Sequence, residues 1–433
     1  MKKDIIRYGI SLFALFFLWN AAYSAQTVMQ INIPLYTIQD KIDKINADKK
    51  QLEDEIAKYE ADLKNIGEQA TSLENTLKSL DATIKKNALD IKLTQNKINA
   101  TELDIENLGE DIDKNTILIG QDRQTIAKLI VETARGEQAT FIENLLAYDD
   151  IAEFWNETES MYQIQNKLRE KVAETEVTKT ILEGNKTAAE KKKRSLIALK
   201  SELTDRKTVL DLSKKEKNKL LADTKDKESN YQKILADKKA LSLAFDKELL
   251  QFESELKFAI DPNSYPTPVR SILSWPLDIV KITQKFGVTD FSKTTNAYNG
   301  NGHNGVDFGT PIGTKIEASL SGTVVGTGNT DTVCPGASFG NWVFVRHDNG
   351  LSTLYGHLSL IKVRTGDRVF TGDTIGYSGN TGFSTGPHLH FGLYVTQGSR
   401  IMQVKSKVCM GTYTMPVADL KAYLDPLQYL PNL

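Results

Sequence analysis

The 433-residue chain predicts a multidomain protein: a long α-helical coiled-coil hairpin followed by a mainly antiparallel β domain. Three observations carry that expectation. Apolar residues recur at alternating spacings of four and three over most of the first 260 positions. A proline-rich stretch then stops the pattern. Beyond it, short β-branched and aromatic runs alternate with Gly, Asn and Asp turns. A chain of this length is also too long for one compact core. The charges nearly cancel, with 54 Lys plus Arg against 56 Asp plus Glu. Nothing in that balance calls for a nucleic-acid partner.

The first element reads as an export signal. Lys2, Lys3 and Arg7 precede an apolar run from Tyr8 to Trp19, and Ala21-Ala22-Tyr23-Ser24-Ala25 supplies small residues for cleavage after Ser24. This predicts a signal peptide over 1–24. The alternative is an uncleaved membrane anchor, but the run falls short of the ~20 residues that span a bilayer. Either way the bulk of the chain is expected outside the cytoplasm: periplasmic, wall-associated or secreted.

The helical region is expected over 25–258. Its first frame runs through Ile38, Ile42, Ile45, Lys49, Leu52, Ile56, Leu63, Leu73, Leu80 and Ile84. It goes on through Asn87, Ile91, Thr94, Ile98, Thr101, Ile105 and Ile112. A 3.5-residue period held this long marks a left-handed coiled coil, and polar seam residues such as Asn87 set register at some cost in stability. A second frame runs from Met161 through Leu168, Leu182, Leu196, Leu203, Leu210, Leu220, Tyr231, Phe245 and Phe252. Each arm of ~95 residues reaches roughly 140 Å if fully helical. Arms of equal length suggest an antiparallel hairpin within one chain, with a parallel homodimer as the alternative. Between them, near 134–160, Phe141, Ile142, Leu145, Ile151, Phe154 and Trp155 predict short helices capping a tip. That cluster buries the tip or offers an apolar docking surface for a membrane or division partner. Pro262, Pro266 and Pro268 then predict a semi-rigid linker over 259–274.

The β domain is expected over 275–433. Gly322–Gly326, Trp342–Arg346 and Leu351–Tyr355 read as strands, and Asn349-Gly350 as a hairpin turn. The two cysteines, Cys334 and Cys409, favour a disulfide in an exported chain. It would close a loop of about 75 residues, worth on the order of 4 kcal/mol by chain entropy.

All five histidines lie in the last third of the chain. Three motifs hold four of them: His303-Asn304-Gly305-Val306-Asp307, Tyr355-Gly356-His357-Leu358 and Gly386-Pro387-His388-Leu389-His390-Phe391. In a strand, His388 and His390 project to one face while Leu389 turns to the other. Paired imidazoles make a poor core but good metal ligands or proton carriers. Nitrogen and carboxylate donors suit zinc, whose catalytic sites keep three protein ligands and a water. His347 stands outside these motifs at a hairpin turn, where a structural or solvent role is expected.

At these residues the sequence resembles lysostaphin-type (LytM-like) peptidoglycan endopeptidases, over about 150 residues and with the three motifs in order. Ile282–Gly287 and Gly313–Ile316 also match that pattern. The resemblance implies that His303, Asp307 and His390 hold one Zn2+ per chain. It implies that His357 and His388 are catalytic, either one serving as the base, and that Tyr298 supports the oxyanion. The substrate class implied is bacterial cell-wall peptidoglycan, at a bond the sequence does not specify. The whole architecture is similar to EnvC-type division proteins, in which a coiled coil couples the domain to a membrane division or transporter complex. Some of those proteins have lost zinc ligands and activate separate amidases, so a non-enzymatic activator is the main alternative. A structural spacer with a wall-binding β domain is another. The complete ligand set favours the enzyme over both.

Overall fold

The computed structural model describes residues 33–67, 72–136, 150–255, 267–288 and 302–433. The expected signal segment, Tyr298, Phe141, Ile142 and Leu145 of the tip cluster, and the first half of the proline-rich linker lie outside these residues. Four helices come first: α1 (Ile33–Gly67), α2 (Leu73–Gly136), α3 (Ile151–Thr224) and α4 (Glu228–Glu255). Among the described residues no helix is long and apolar enough to cross a membrane.

The chain divides into two compact units, one of 1–51 with 93–202, the other of 52–92 with 203–433. In the first, Lys171 pairs with Asp122 at 2.9 Å, Lys192 with Asp104 at 2.6 Å and Lys200 with Glu102 at 2.8 Å. Numbers rise along α3 as they fall along α2, so the two helices run antiparallel within one chain. Half-exposed pairs of this kind contribute only about 0–1 kcal/mol each; they mark the register, and burial holds it. The second unit continues the same order, with Arg206 on Asp90 at 2.9 Å and Lys217 on Asp81 at 2.5 Å.

The polar residues of the predicted seam are buried: Asn87, Thr94 and Thr101 all face inward. Thr101 satisfies its hydroxyl on the Lys97 carbonyl at 2.8 Å. Asn87 donates to Ser213 Oγ at 3.3 Å and to the Ile312 carbonyl at 3.4 Å. Opposite it, Val209 and Ser213 are buried, where the heptad frame had placed Leu210. Val209 is buried against the β domain, where a Cβ on Gly313 would come within 2.4 Å of it, and the Asn87 amide lies at the same glycine. A second departure lies at Lys225–Lys227. Lys225 and Asp226 take positive φ (49° and 56°), which ends α3 and starts α4, so the second arm is not one continuous helix. Tyr231, read as a seam residue, instead hydrogen-bonds Thr76 at 2.8 Å near the start of α2.

The β domain is built on one large antiparallel sheet. Its strands are β1 (Ile282–Gln284), β2 (Val306–Gly309), β3 (Lys315–Glu317), β4 (Gly322–Asn329), β5 (Asn341–His347) and β6 (Leu351–Ile361). The chain goes on through β7 (Arg368–Val369), β8 (Thr374–Ser378), β9 (His388–Val395), β10 (Ser399–Lys405), β11 (Thr412–Ala418) and β12 (Tyr423–Leu424). The main order is β1-β2-β9-β6-β5-β4-β7, with β12 on β9 and β8 joining β3 to β6; β10 and β11 form a separate two-stranded sheet. One face of the main sheet buries Val306, Phe308, Leu389, Phe391 and Leu393 against Leu273 and Leu277. Leu273 donates its N–H to the Tyr429 carbonyl at 3.1 Å. The core thus takes in residues just ahead of the expected start at Trp275.

The other face packs against β10, β11 and helix α4. Phe245 is buried with Phe339, Trp342, Val404, Tyr413, Met415 and Val417, and Leu249 and Phe252 join from the same helix. These three stand at i, i+4 and i+7, so they form one apolar stripe. The stripe was legible in the sequence, but its partner is the β domain and not another helix. Polar contacts fix the fit: Glu248 accepts Ser406 Oγ–H at 2.6 Å and the Lys407 N–H. The Cys334–Cys409 disulfide, with Cα atoms 5.6 Å apart, ties the β4–β5 connection to the β10–β11 turn within this surface.

Candidate metal centre

Strands β2 and β9 place the site. They pair antiparallel with Asp307 opposite His390 and Gly309 opposite His388. Because alternate residues share a face, Val306, Phe308, Leu389 and Phe391 go to the core while Asp307, His388 and His390 go to the far side. His303 arrives from the segment before β2, fixed by a two-bond bridge in which its N–H and carbonyl exchange 2.8 Å hydrogen bonds with Gly287. Its Nδ1–H donates to the Lys285 carbonyl at 3.2 Å, which turns Nε2 inward. The Ile282–Gly287 run therefore serves as the support of this ligand candidate. Gly305 allows the closest packing: a Cβ there would lie 2.7 Å from His390 Cε1.

The three predicted ligands converge. His303 Nε2 lies 3.1 Å from His390 Nδ1 and 3.2 Å from Asp307 Oδ1, and His390 Nδ1 lies 3.0 Å from Asp307 Oδ1. All three side chains are buried. Two imidazole nitrogens and a carboxylate oxygen at such distances offer lone pairs to one point. Shared protons cannot satisfy all three, whereas a divalent cation can. The donor set fits zinc: two nitrogens and one oxygen, with a fourth position left for water.

The two further histidines flank this point. The rings of His357 and His388 are 4.6 Å apart, and those of His357 and His390 5.9 Å. His357 donates Nδ1–H to the Thr381 carbonyl at 2.8 Å, and His388 donates Nδ1–H to the Gly386 carbonyl at 2.8 Å. Each carbonyl selects one tautomer and leaves Nε2 as an acceptor. His388 Nε2 lies 3.7 Å from Asp307 Oδ1. His357 holds a left-handed backbone, φ 61°, inside strand β6, a sparsely populated conformation of the kind concentrated at functional sites. Thus His303, Asp307, His357, His388 and His390 all meet in one place, and His347 does not. His347 is buried elsewhere between the Ser321 carbonyl (3.1 Å) and Thr353 Oγ1 (2.9 Å). Burial pushes its pKa down to about 4.

The electrostatics follow from crowding. Burial alone would raise the Asp307 carboxyl, but the neighbouring His303 and His388 charges and the hydrogen bonds from His303 and His390 outweigh it and hold it well below the usual carboxylate range. Burial pushes His357 well below its ordinary value, reinforced by the nearby His388 and His390. Burial lowers His390 as well, against the opposing pull of Asp307. Low imidazole pKa values keep these nitrogens neutral near pH 7, the state a metal ligand or a base requires.

The site opens into a cavity of about 300 Å3 whose wall is not wholly β. Asp246, Leu249, Leu250 and Glu253 of α4 line it together with His303, His357, His388 and His390. Sequence reasoning missed these four residues, since the heptad pattern assigned their helix to the coiled coil. It also missed Tyr423, Tyr394 and the two orienting carbonyls. Backbone carbonyls leave no mark in composition, and no motif spans the 170 residues between Glu253 and Tyr423.

A buried His/Asp/His cluster with two more oriented histidines, set on an antiparallel sheet, has the donor chemistry and layout of a metallopeptidase site. Residues 301–402 match the model of Peptidase family M23. Over 131 residues the chain is 42% identical to peptidoglycan DD-endopeptidase ShyA of Vibrio cholerae, covering 30% of this chain and 29% of that protein. Over 94 residues it is 44% identical to the glycyl-glycine endopeptidase ALE-1 of Staphylococcus capitis, covering 22% and 25%. The catalytic domain of lysostaphin from Staphylococcus simulans aligns over 34% of this chain and 90% of that one, at 32% identity and a TM-score of 0.25. The chain thus spans less than a third of the length of these two curated relatives.

Proposed function

We propose that this chain is an exported zinc metallo-endopeptidase that cleaves peptide bonds in bacterial peptidoglycan, with α4 serving as a cover over its site. The observation that carries this reading is the meeting of His303, Asp307 and His390 at 3.0–3.2 Å beside His357 and His388. His303 Nε2, His390 Nδ1 and Asp307 Oδ1 would hold the zinc. When bound, zinc supplies Lewis acidity, which acidifies water and polarises a carbonyl. The chain's own residues do the rest. The Nε2 atoms of His357 and His388 stand free to take a proton from the attacking water and to donate to the developing oxyanion. Their carbonyl partners at Thr381 and Gly386 hold both rings in place. The M23 match and the named endopeptidase relatives support peptidoglycan as the substrate class. The relatives differ in the bond their names imply, so bond choice belongs to the cavity walls.

Regulation through the helices follows from the same cavity. Four α4 side chains occupy its wall, and the Phe245, Leu249 and Phe252 stripe holds the helix there. Movement of α4 would widen access to the metal centre. Exposed Ile117, Ile130, Val131, Ile151 and Trp155 of α2 and α3 support a partner at a membrane division or transporter complex as the source of that movement.

The direct test measures zinc content and cleavage of cross-linked muropeptides by the full chain, by His390→Ala and by Phe245→Ala. One zinc per chain, lost in His390→Ala, with faster cleavage in Phe245→Ala, is the expected result. Zinc retained without cleavage by any form would point to the amidase-activator alternative.

A further inference from the structure

Glu253 is an unusual residue to find against a catalytic cavity. It is 4% exposed, it sits on the covering helix, and no Lys or Arg is among the cavity-lining residues. Its Oε1 accepts two hydrogen bonds from the β domain, one from Tyr423 Oη–H and one from the Ala418 N–H at 3.3 Å. Burial pushes its carboxyl up to about 7. A third donor lies close by. Tyr394 Oη is buried and has no hydrogen-bond partner among the described residues, and its ring lies 5.0 Å from that of Tyr423. Buried hydroxyls without partners are rare in native structures and ask for an explanation.

The position of Tyr394 supplies one. It belongs to β9, on the same face as His390 and four residues further along, about 13 Å at the usual strand rise. The residue between them on that face is Gly392, where a Cβ would come within 2.9 Å of the tyrosine ring and 3.0 Å of its hydroxyl. The absent side chain lets Tyr394 fold back along the strand. One phenolic hydroxyl and one backbone N–H thus hold a single acceptor oxygen, with the Tyr394 hydroxyl nearby and unbonded, and the Asn304 side chain is within hydrogen-bonding reach of Tyr423. These neutral donors offer hydrogen bonds to a carboxyl oxygen, and the burial that raises Glu253 comes with the docked helix, so once α4 is withdrawn and water returns the same donors can serve a charged peptide carboxylate.

We propose that Tyr423, Tyr394 and the Ala418 N–H form a carboxylate-binding subsite beside the metal centre, filled by Glu253 in the covered state and by a carboxylate of the peptide substrate in the open state. The proposal rests on reading the chain as an endopeptidase covered by α4. Glu253 then acts as an internal stand-in for the substrate: withdrawal of α4 removes the carboxylate and leaves the donors unpaired. Because the Tyr394 hydroxyl lies over Gly392, two residues from His390 and about 7 Å at the usual strand rise, a peptide carboxylate about two extended residues from the scissile bond would span the distance. Cell-wall peptides carry free carboxylates at branch points and ends, so the subsite would favour them over amidated forms.

The test compares a stem peptide bearing free carboxylates with the same peptide fully amidated, using the zinc-loaded full chain carrying Glu253→Ala. Calorimetry is expected to give at least ~10-fold tighter binding of the free acid, within the range typical for a charge-assisted hydrogen bond. Tyr423→Phe in the same background is expected to bring the two affinities together without changing the melting temperature. Equal affinities in Glu253→Ala, or an acid preference that survives Tyr423→Phe, would overturn the subsite. Should Glu253→Ala fold poorly, Phe245→Ala loosens α4 while leaving the donors intact, and the same comparison applies. Cleavage assayed in parallel separates the two readings. An acid preference without cleavage of either peptide sinks the endopeptidase and keeps the subsite; cleavage of both peptides with equal affinity does the reverse.

Discussion

Asp307 and Glu253 are buried carboxyls lining the same cavity, one at its metal end and one at its helix end. Their surroundings drive them in opposite directions. Asp307 sits beside the charges of His303 and His388 and accepts hydrogen bonds from His303 and His390, which together hold it ionised against the cost of burial. Glu253 faces tyrosines and a backbone amide, which donate hydrogen bonds but carry no charge, and burial dominates. Burial of a charge is tolerated only where an opposite charge accompanies it. The metal end thus keeps a charged ligand set that fits a divalent cation. The helix end disfavours a charged carboxyl, which accords with the proposal that α4 can leave.

The largest effect that would test this contrast comes from the metal end. His390→Ala should abolish zinc retention and lower cleavage by roughly a thousandfold or more, because Lewis-acid stabilisation is worth several kcal/mol. Atomic emission and a muropeptide assay read both, and retained zinc would break the comparison at once. Next is the helix end: truncating a buried phenylalanine typically costs about 3–5 kcal/mol. Phe245→Ala should therefore release α4, raise its amide exchange and speed cleavage; unchanged exchange across α4 would show that the helix is held by something else.

Acidity sharpens the contrast further. With α4 docked, Glu253 titrates at about 7 rather than 4.5, so the docked form keeps a proton that the released form gives up. Docking is strongest below pH 4.5, weakens as the pH rises towards 7, and stays level above that. The span corresponds to on the order of 3 kcal/mol. Exchange protection of α4, corrected for the intrinsic rate, should fall across this window in the parent and stay flat in Glu253→Gln. The smallest effect is expected far from the site: Lys192→Ala, at a partly exposed pair with Asp104, should shift unfolding by under ~1 kcal/mol.

Much of the metal end was legible in the sequence because its signal is local. His388 and His390 stand two apart, His303 and Asp307 four apart, and alternation along a strand decides which way each points. The seam polar residues Asn87, Thr94 and Thr101 were legible for the same reason, as regular positions of one repeat. The helix end was not. Phe245 and Phe252 fit a heptad as well as they fit a β surface, and periodicity gives a face without naming what covers it. Glu253 meets Tyr423 across 170 residues, a pairing that depends on the fold as a whole. The break at Lys225–Asp226 was hidden too: Lys is no usual signal for positive φ, and Asp, which is one, recurs throughout the helical arms without ending them.

The order of parts along the chain has a consequence for biosynthesis. Helix α4 ends at Glu255, whereas the cavity it covers is finished only by β12 at Tyr423. A chain emerging from its N-terminus delivers the plug well before the socket. On the proposal that α4 covers the site, each newly made molecule would complete its cleft in the presence of the segment that fills it, and a nascent hydrolase would be closed from the moment its site is assembled.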